Sequence, residues 1–245
     1  MRKTADGRLI RFFENKNSFS RQELYNYFLQ TEGEIKKGTL SWRIYDLKKK
    51  NMLNEVRKGY YTTKTKPVYT PTTDAYLIKL AAFIQKNYRY ARYCLTDVNW
   101  LNEFTIHQFN QQMVITEIEK DLEESLAHNL ADNGYNILRD LRGSFMKIYQ
   151  KMVISFPLIS RAPIQKITDG RTIVMVPTLE KIMVDIYQDQ KIYHFIQGEE
   201  MIRVFENAIT RYSINYSTLF TYAKRRGKED ELRTFINDNF PGILN

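Results

Sequence analysis

The positive charge of this chain is confined to its first third. The chain has 245 residues and a formal net charge of +9. Residues 1–71 contain 16 Lys and Arg against 7 Asp and Glu, whereas residues 72–245 contain 21 of each kind. The whole excess therefore lies in a segment the size of one small domain. This asymmetry predicts a basic module that meets a polyanion, joined to a neutral module.

The remaining composition is typical of a globular protein. Hydrophobic residues make up 43% of the chain, and the 17 Tyr and 14 Phe supply ample material for a packed core. No apolar run approaches the roughly 18 residues that span a membrane, and the first residues lack the apolar stretch of a secretory signal. Cys94 is the single cysteine, which excludes an internal disulfide. We therefore expect a cytoplasmic protein with no membrane partner.

The basic segment opens with the patterns of two helices. Apolar residues on one helical face predict a first helix over residues 5–15. Ser20 and Glu23 have the spacing of a capping box, which predicts that a second helix begins there. The apolar stripe of this second helix is predicted to consist of Leu24, Tyr25, Phe28 and Leu29.

A third helix and a hairpin follow. Leu40, Ile44 and Leu47 recur at i, i+4 and i+7, which predicts the inward face of a helix over residues 39–50. Beyond it, two short β-prone runs flank the turn dipeptide Lys58-Gly59. Helix, helix, helix and hairpin is the order of a winged helix-turn-helix domain, which we predict for residues 1–71.

The outward face of the predicted third helix mixes aromatic, hydroxyl and basic side chains. Such a face suits a helix in the major groove of double-stranded DNA, and a basic hairpin tip suits contact with phosphates. The side chains predicted near bases are Ser41, Trp42, Arg43, Tyr45 and Lys49. Those predicted near phosphates are Lys36, Lys37, Lys48, Arg57 and Lys58. Two alternatives stay open: Trp42 packs against the second domain or another copy, or the hairpin tip is simply solvated.

The neutral segment, residues 72–245, predicts a larger mixed α/β domain. Pro67 and Pro71 mark the boundary. Strands are predicted at 93–95, 113–115, 135–138, 153–156 and 172–176, and helices at 74–88, 98–105 and 120–131. Pro177 is predicted to begin another helix, and the tail from Lys191 is predicted to be helical in three segments. The chain as a whole is expected to belong to the mixed α/β (α+β) class.

Few residues of this chain point to enzyme chemistry. His107, His128 and His194 are far apart in sequence, and none has a companion at metal-ligand spacing. Cys94 lies in an apolar run typical of an inert core thiol. Neither a glycine-rich phosphate loop nor a nucleophile elbow is present. We therefore expect no catalytic residues, no cofactor and no metal site.

A metal-dependent nuclease is the alternative from another class, acting through Asp97, Glu117 and Lys120. The run Glu117-Ile118-Glu119-Lys120 resembles an acidic-x-Lys signature, but the position two residues before the lysine is Ile118. The acidic residues from 119 to 124 fit the start of a helix better, where the helix dipole favours negative charge. A basic run at 224–228 likewise fits the end of a helix that Gly227 terminates.

Three segments of the chain resemble the AbiEi family of type IV antitoxins. They are Gly59-Tyr60-Tyr61, Val114-Ile115-Thr116-Glu117-Ile118-Glu119-Lys120, and Val176-Pro177-Thr178-Leu179-Glu180-Lys181-Ile182-Met183-Val184-Asp185. The resemblance implies a bacterial, DNA-binding transcriptional autorepressor whose first domain binds inverted repeats in the promoter of its own operon. It also implies that the second domain is the antitoxin, which counters a nucleotidyltransferase toxin without a stable complex. An orphan regulator or a module that binds a protein partner remains an alternative.

Overall fold

A computed structural model of the protein describes residues 5–33, 35–50, 52–63, 66–109, 112–138, 151–170 and 172–244. The chain divides into two compact units. Unit 1 comprises Met1–Val68 with Arg211–Thr218, and unit 2 comprises Tyr69–Thr210 with Leu219–Asn245. Helices and sheets are mixed, so the predicted α/β class is confirmed. Among the described residues, no helix combines the length and the apolarity that crossing a membrane requires.

Unit 1 contains three helices and a small antiparallel sheet. The helices are α1 (Ala5–Phe13), α2 (Arg21–Glu32) and α3 (Lys37–Lys49). The strands are β1 (Phe19–Ser20), β2 (Asn54–Arg57) and β3 (Tyr60–Thr62), in the sheet order β1-β3-β2. The turn between β2 and β3 includes Gly59 at φ +78°, a backbone conformation that favours glycine. The predicted hairpin is thus confirmed.

The start of α2 is the capping box predicted from the sequence. The Ser20 hydroxyl accepts from the Glu23 amide at 3.2 Å, and the Glu23 carboxylate accepts from the Ser20 amide at 2.7 Å. Each bond satisfies an amide that the first turn of a helix leaves unpaired. The predicted start of the second helix is therefore confirmed.

The inward stripe of α2 differs from the prediction at two positions. Leu24 and Phe28 are buried, but the third buried residue is Tyr27, whereas Tyr25 is half-buried and Leu29 is exposed. At about 100° per residue, Tyr27 falls on the side of Leu24 and Phe28, and Leu29 falls on the far side of the helix. The Tyr27 ring contacts Phe13, whose ring stacks on Phe19 with centroids 3.7 Å apart.

Unit 2 is built on a four-stranded mixed sheet and a two-stranded ribbon. The four strands are β4 (Tyr93–Asp97), β5 (Met113–Ile118), β6 (Asn136–Ile137) and β7 (Met152–Pro157), in the order β4-β5-β7-β6. Strand β4 is antiparallel to β5, and β5 and β6 are each parallel to β7. The ribbon pairs β8 (Ile164–Asp169) with β9 (Thr172–Pro177). Strands β4 and β5 are buried along their whole length and so belong to the core of the unit.

The helices of unit 2 cover this sheet and complete the unit. They are α4 (Ala75–Asn87), α5 (Glu123–Asp132), α6 (Leu179–Gln188), α7 (Glu199–Arg211), α8 (Tyr216–Arg225) and α9 (Glu229–Asn239), with 3-10 turns at Val98–Glu103 and Lys120–Leu122. The last residue of α7, Arg211, and the first three residues of α8 belong to unit 1. The three predicted tail helices are present, but the first begins at Glu199 instead of Lys191.

Two local predictions in unit 2 are corrected by the structure. Pro177 does not begin a helix; it ends β9, and α6 begins at Leu179 after the extended residue Thr178. Strand β8 was not predicted, because its residues are half-buried or exposed and lack a strong apolar alternation. Strand β8 forms because it pairs with β9, and its own residues do not predict a strand.

Candidate functional site

The outer face of α3 is open to solvent. Leu40, Ile44 and Leu47 are buried, as the periodicity predicts, and Trp42 and Tyr45 are each 64% exposed. Lys49 is also exposed, and at about 100° per residue it lies between these two aromatic side chains on the helical wheel. The two aromatic residues and the lysine therefore share one surface.

Exposed lysines lie at both ends of α3. Lys36 and Lys37 are exposed at the start of α3, and Lys49 is exposed at its end with no ion pair to any described residue. Lys48 instead pairs with Glu55 of β2, with Nζ 2.6 Å from the carboxylate oxygen. That pair links α3 to the hairpin, so Lys48 is partly neutralised within the unit.

Arg43 lies on the inner side of α3. Its guanidinium pairs with Glu32 at 2.5 Å and lies 5.0 Å from the centroid of the Phe28 ring. On the helical wheel Arg43 falls about 60° from Leu40, on the side that packs against α2. The structure therefore does not bring Arg43 to the outer face with the other residues predicted near bases.

The hairpin tip is basic and anchored through its backbone. The Lys58 amide donates to the Ser217 hydroxyl at 2.9 Å, and the Gly59 amide donates to Glu55 at 3.2 Å. The Lys58 side chain itself is exposed. The Arg57 guanidinium lies 3.9 Å from the centroid of the Tyr60 ring, a cation–π contact that holds it against β3.

Arg21 is a basic residue that sequence reasoning missed. It begins α2, its amide donates to the Gly59 carbonyl at 2.7 Å, and its guanidinium donates to the Ser41 hydroxyl at 2.7 Å. Arg21 is exposed, and its contacts place it between α3 and the hairpin. Its position directly after the capping residue Ser20 is the sequence signal that identifies it.

The three residues of the nuclease alternative do not converge. In the β4–β5 pair, Asp97 lies opposite Val114 and Glu117 lies opposite Cys94. Successive residues of a strand alternate between faces, so the side chains of Asp97 and Glu117 lie on opposite faces of the sheet. Asp97 pairs with Lys151 at 2.6 Å, and Lys120 lies beyond the end of β5. Within the described residues, no three His, Cys, Asp or Glu side chains are placed to hold a metal ion.

A cluster of buried charged groups occupies the interior of unit 2. Lys181 of α6 has no exposed surface, its Nζ lies 2.6 Å from a Glu117 carboxylate oxygen, and it also donates to Asp185 one turn along α6. The Tyr222 hydroxyl donates to the other Asp185 oxygen at 2.9 Å. We call Glu117, Lys181, Asp185 and Tyr222 the buried ion cluster.

Burial and charge act in opposite directions within the buried ion cluster. Burial by itself lowers the pKa of Lys181, but the carboxylates of Asp185 and Glu117 outweigh it and hold the pKa well above its usual range. Burial raises the pKa of Glu117, which Lys181 opposes. Lys181 therefore stays charged, and the carboxylates of Asp185 and Glu117 balance its charge.

The sequence predicted the state of Cys94 near the buried ion cluster correctly, but it predicted the basic run at 224–228 only in part. Cys94, opposite Glu117, is buried as predicted, and burial raises the pKa of its thiol well above the usual value. Gly227, at φ +70°, lies just past the end of α8 as predicted, but Arg226 turns inward and pairs with Asp189 at 2.5 Å. The basic run is therefore not wholly a solvated helix end.

Sequence reasoning did not identify Lys181 and Asp185 as a site. Their signal is a lysine and an aspartate at i, i+4 in a helix whose residues 179–186 are all buried. Charged residues are almost never fully buried unless they are paired, so a lysine and an aspartate in a wholly buried stretch of helix indicate an internal ion pair.

Comparison with known proteins defines the family of the chain. A search of curated proteins finds no match. Residues 39–241 match the profile of a family of unknown function, DUF6577. The matched range includes most of α3, the hairpin and the buried ion cluster. Because it spans well over half of the sequence, the chain belongs to the DUF6577 family.

Proposed function

We propose that the protein is a DNA-binding transcriptional autorepressor and the antitoxin of a cytoplasmic type IV toxin–antitoxin system. Unit 1 acts as the winged helix-turn-helix domain, and unit 2 as the antitoxin domain. The observation that carries the DNA-binding part is the exposed aromatic and basic face of α3 beside a basic hairpin. The antitoxin part rests on the resemblance to the AbiEi family.

In this proposal α3 lies in the major groove of an operator that contains inverted repeats. Its outer face, with Trp42 and Tyr45, meets the base edges. The phosphates are bound by Lys36 and Lys37 at the start of α3 and by Lys58 at the hairpin tip. Arg21 adds a further contact, because a basic side chain between α3 and the hairpin faces the same strand. Each phosphate contact releases bound cations, so affinity falls as salt rises.

The antitoxin part is supported by where the resembling segments lie. One segment covers β5 from its second residue onward, and the other includes the end of β9 and the start of α6. The ion pair between Glu117 and Lys181 joins the two segments in the interior of unit 2. The functional partner is a nucleotidyltransferase toxin, whose effect is countered without a stable complex.

A mobility-shift titration tests the DNA-binding part. The full chain is titrated against the duplex immediately upstream of its gene. The double variant Lys49→Glu with Arg57→Glu is expected to bind on the order of 100-fold more weakly, because two cations at the interface become anions. The control is Lys191→Glu with Lys224→Glu, which makes the same charge change at exposed positions of unit 2. Equal affinity of the interface variant and the control overturns this placement.

A growth assay tests the antitoxin part. The gene next to this one is expected to encode a nucleotidyltransferase that arrests growth when expressed alone. Co-expression of the full chain is expected to restore growth, and the Lys49→Glu, Arg57→Glu variant is expected to restore it equally because unit 2 is unchanged. A neighbouring gene of another class, or growth that stays arrested, contradicts the antitoxin assignment and leaves DNA binding to be judged by the titration.

A further inference from the structure

The outer face of α3 presents few side chains that are free to hydrogen-bond a base. The Ser41 hydroxyl donates to the Lys37 carbonyl at 3.1 Å and accepts from Arg21 at 2.7 Å. Asp46 pairs with Lys50, with Nζ 2.7 Å from the carboxylate. Arg43, the one Arg, Asn or Gln within α3, is engaged by Glu32 and Phe28. Of the side chains that commonly read guanine or adenine, this face of α3 therefore presents Lys49 and no Asn or Gln.

What this face presents instead is aromatic surface. Trp42 and Tyr45 are three residues apart and each is 64% exposed, so their side chains are neighbours on the helix. A large exposed apolar surface is unusual unless it meets a ligand or a partner. Lys49, about 10 Å along the axis from Trp42, is the remaining cation of the face and lies in the last turn.

Among the groups that a base pair exposes in the major groove, the apolar one is the C5-methyl of thymine. We propose that α3 recognises duplex sites rich in thymine, with Trp42 and Tyr45 as specificity-determining residues that cover these methyl groups. The inference rests on the proposed DNA-binding function and adds the chemical class of the sequence that is read. Lys49 beside the aromatic pair and the exposed lysines at the start of α3 match the charge of a duplex, which favours DNA over a second protein surface as the occupant.

The test compares thymine with uracil in an otherwise identical duplex. Sites are first selected with the full chain from a pool of random duplexes of roughly one to three helical turns. The selected duplex is then synthesised with deoxyuridine in place of every thymidine, which removes the methyl groups and keeps base pairing and charge. Because two methyl groups lose their contact with the aromatic rings, affinity is expected to fall about ten-fold.

Two variants separate this recognition from general DNA binding. Trp42→Ala with Tyr45→Ala is expected to bind the thymine and uracil duplexes with equal affinity, because the apolar surface is gone. Lys58→Gln is the matched control: it is expected to weaken binding to both duplexes by the same factor, because it removes a phosphate contact only. Circular dichroism of each variant checks that the fold is retained.

The outcomes are distinguishable. Equal affinity of the unaltered chain for the two duplexes overturns the inference while the proposed function stands. Absence of binding to any duplex overturns both. If Trp42→Ala with Tyr45→Ala converts a dimer to a monomer in sedimentation and leaves the thymine-to-uracil ratio unchanged, the aromatic surface is a subunit interface and the inference is wrong.

Discussion

Units 1 and 2 use charged side chains in opposite ways. Among the described residues of unit 1, Lys48 pairs with Glu55 at the surface, and Lys49 is exposed with no ion pair to another described residue. In unit 2, Lys181 has no exposed surface and its charge is balanced within the buried ion cluster. Exposed ion pairs contribute little to stability, whereas a buried charge that loses its partner is costly. The two units thus differ in where the charge lies: we propose that the exposed cations of unit 1 serve binding, whereas the buried Lys181 of unit 2 serves folding.

The largest effect is expected from Lys181→Met, which leaves the buried carboxylates of Glu117 and Asp185 without the lysine that pairs with both. The free energy of unfolding of unit 2 is expected to fall by about 3–5 kcal/mol. Urea denaturation followed by tryptophan fluorescence measures this, because the chain has two tryptophans and Trp42→Phe leaves Trp100 of unit 2 as the reporter.

The control for this change is Lys191→Met, which removes an exposed lysine and is expected to leave the urea midpoint unchanged. Adding Glu117→Gln to Lys181→Met is expected to restore part of the lost stability, because one uncompensated charge is removed. A Lys181→Met variant as stable as the Lys191→Met control contradicts the view that the cluster stabilises unit 2.

The second effect concerns binding and not folding. Lys37→Gln with Lys58→Gln is expected to reduce the slope of log affinity against log salt by about 2, because two phosphate contacts are lost. The urea midpoint is expected to stay the same, since both side chains are exposed. Mobility-shift titrations at several salt concentrations measure the slope, with Lys191→Gln and Lys224→Gln of unit 2 as the control pair. If this variant has the same salt slope as the control pair, the assignment of Lys37 and Lys58 to phosphates is wrong.

A smaller difference is expected from one hydroxyl in each unit. Tyr222→Phe removes the hydrogen bond to the Asp185 carboxylate and is expected to destabilise unit 2 by about 2 kcal/mol. Tyr45→Phe removes an exposed hydroxyl of unit 1 and is expected to change stability by less than about 0.5 kcal/mol. Both values come from urea denaturation, and equal values for the two variants break the contrast between the units.

The smallest effect is a pH dependence in unit 1. A hydrogen bond from Lys16, together with the Ser20 amide, lowers the pKa of Glu23 from 4.5 to about 2. A carboxyl whose pKa is lower in the folded state than in the unfolded state stabilises the folded state when the pH is above the unfolded-state pKa. This contribution is lost as the pH falls from 4.5 to about 2. Because Glu23 is partly exposed, solvent screening keeps the contribution below about 1 kcal/mol.

Thermal melting between pH 5 and pH 2 checks this effect. The difference in melting temperature between the unaltered chain and Glu23→Gln is expected to shrink as pH falls. Glu14→Gln, which changes an exposed carboxyl in the same unit, is the control and is expected to show no pH-dependent difference. A Glu23→Gln difference that is independent of pH contradicts the proposed role of the carboxylate.

Local patterns in the sequence determined the start of α2, the inner face of α3 and the hairpin of unit 1. The capping box at Ser20 sets the start of α2, and the spacing of Leu40, Ile44 and Leu47 sets which side of α3 is buried. Turn chemistry at Gly59 sets the hairpin. These features depend on residues close together in the chain, so the sequence alone determines them.

Tertiary structure alone decided which charged groups meet. Arg43 turns to Glu32 because α2 packs beside α3, and Lys181 meets Glu117 because α6 packs against β5. Arg226 reaches Asp189 across more than thirty residues of chain. The partner of a charged side chain depends on which distant element burial places beside it, and helical or strand periodicity carries no information about that choice.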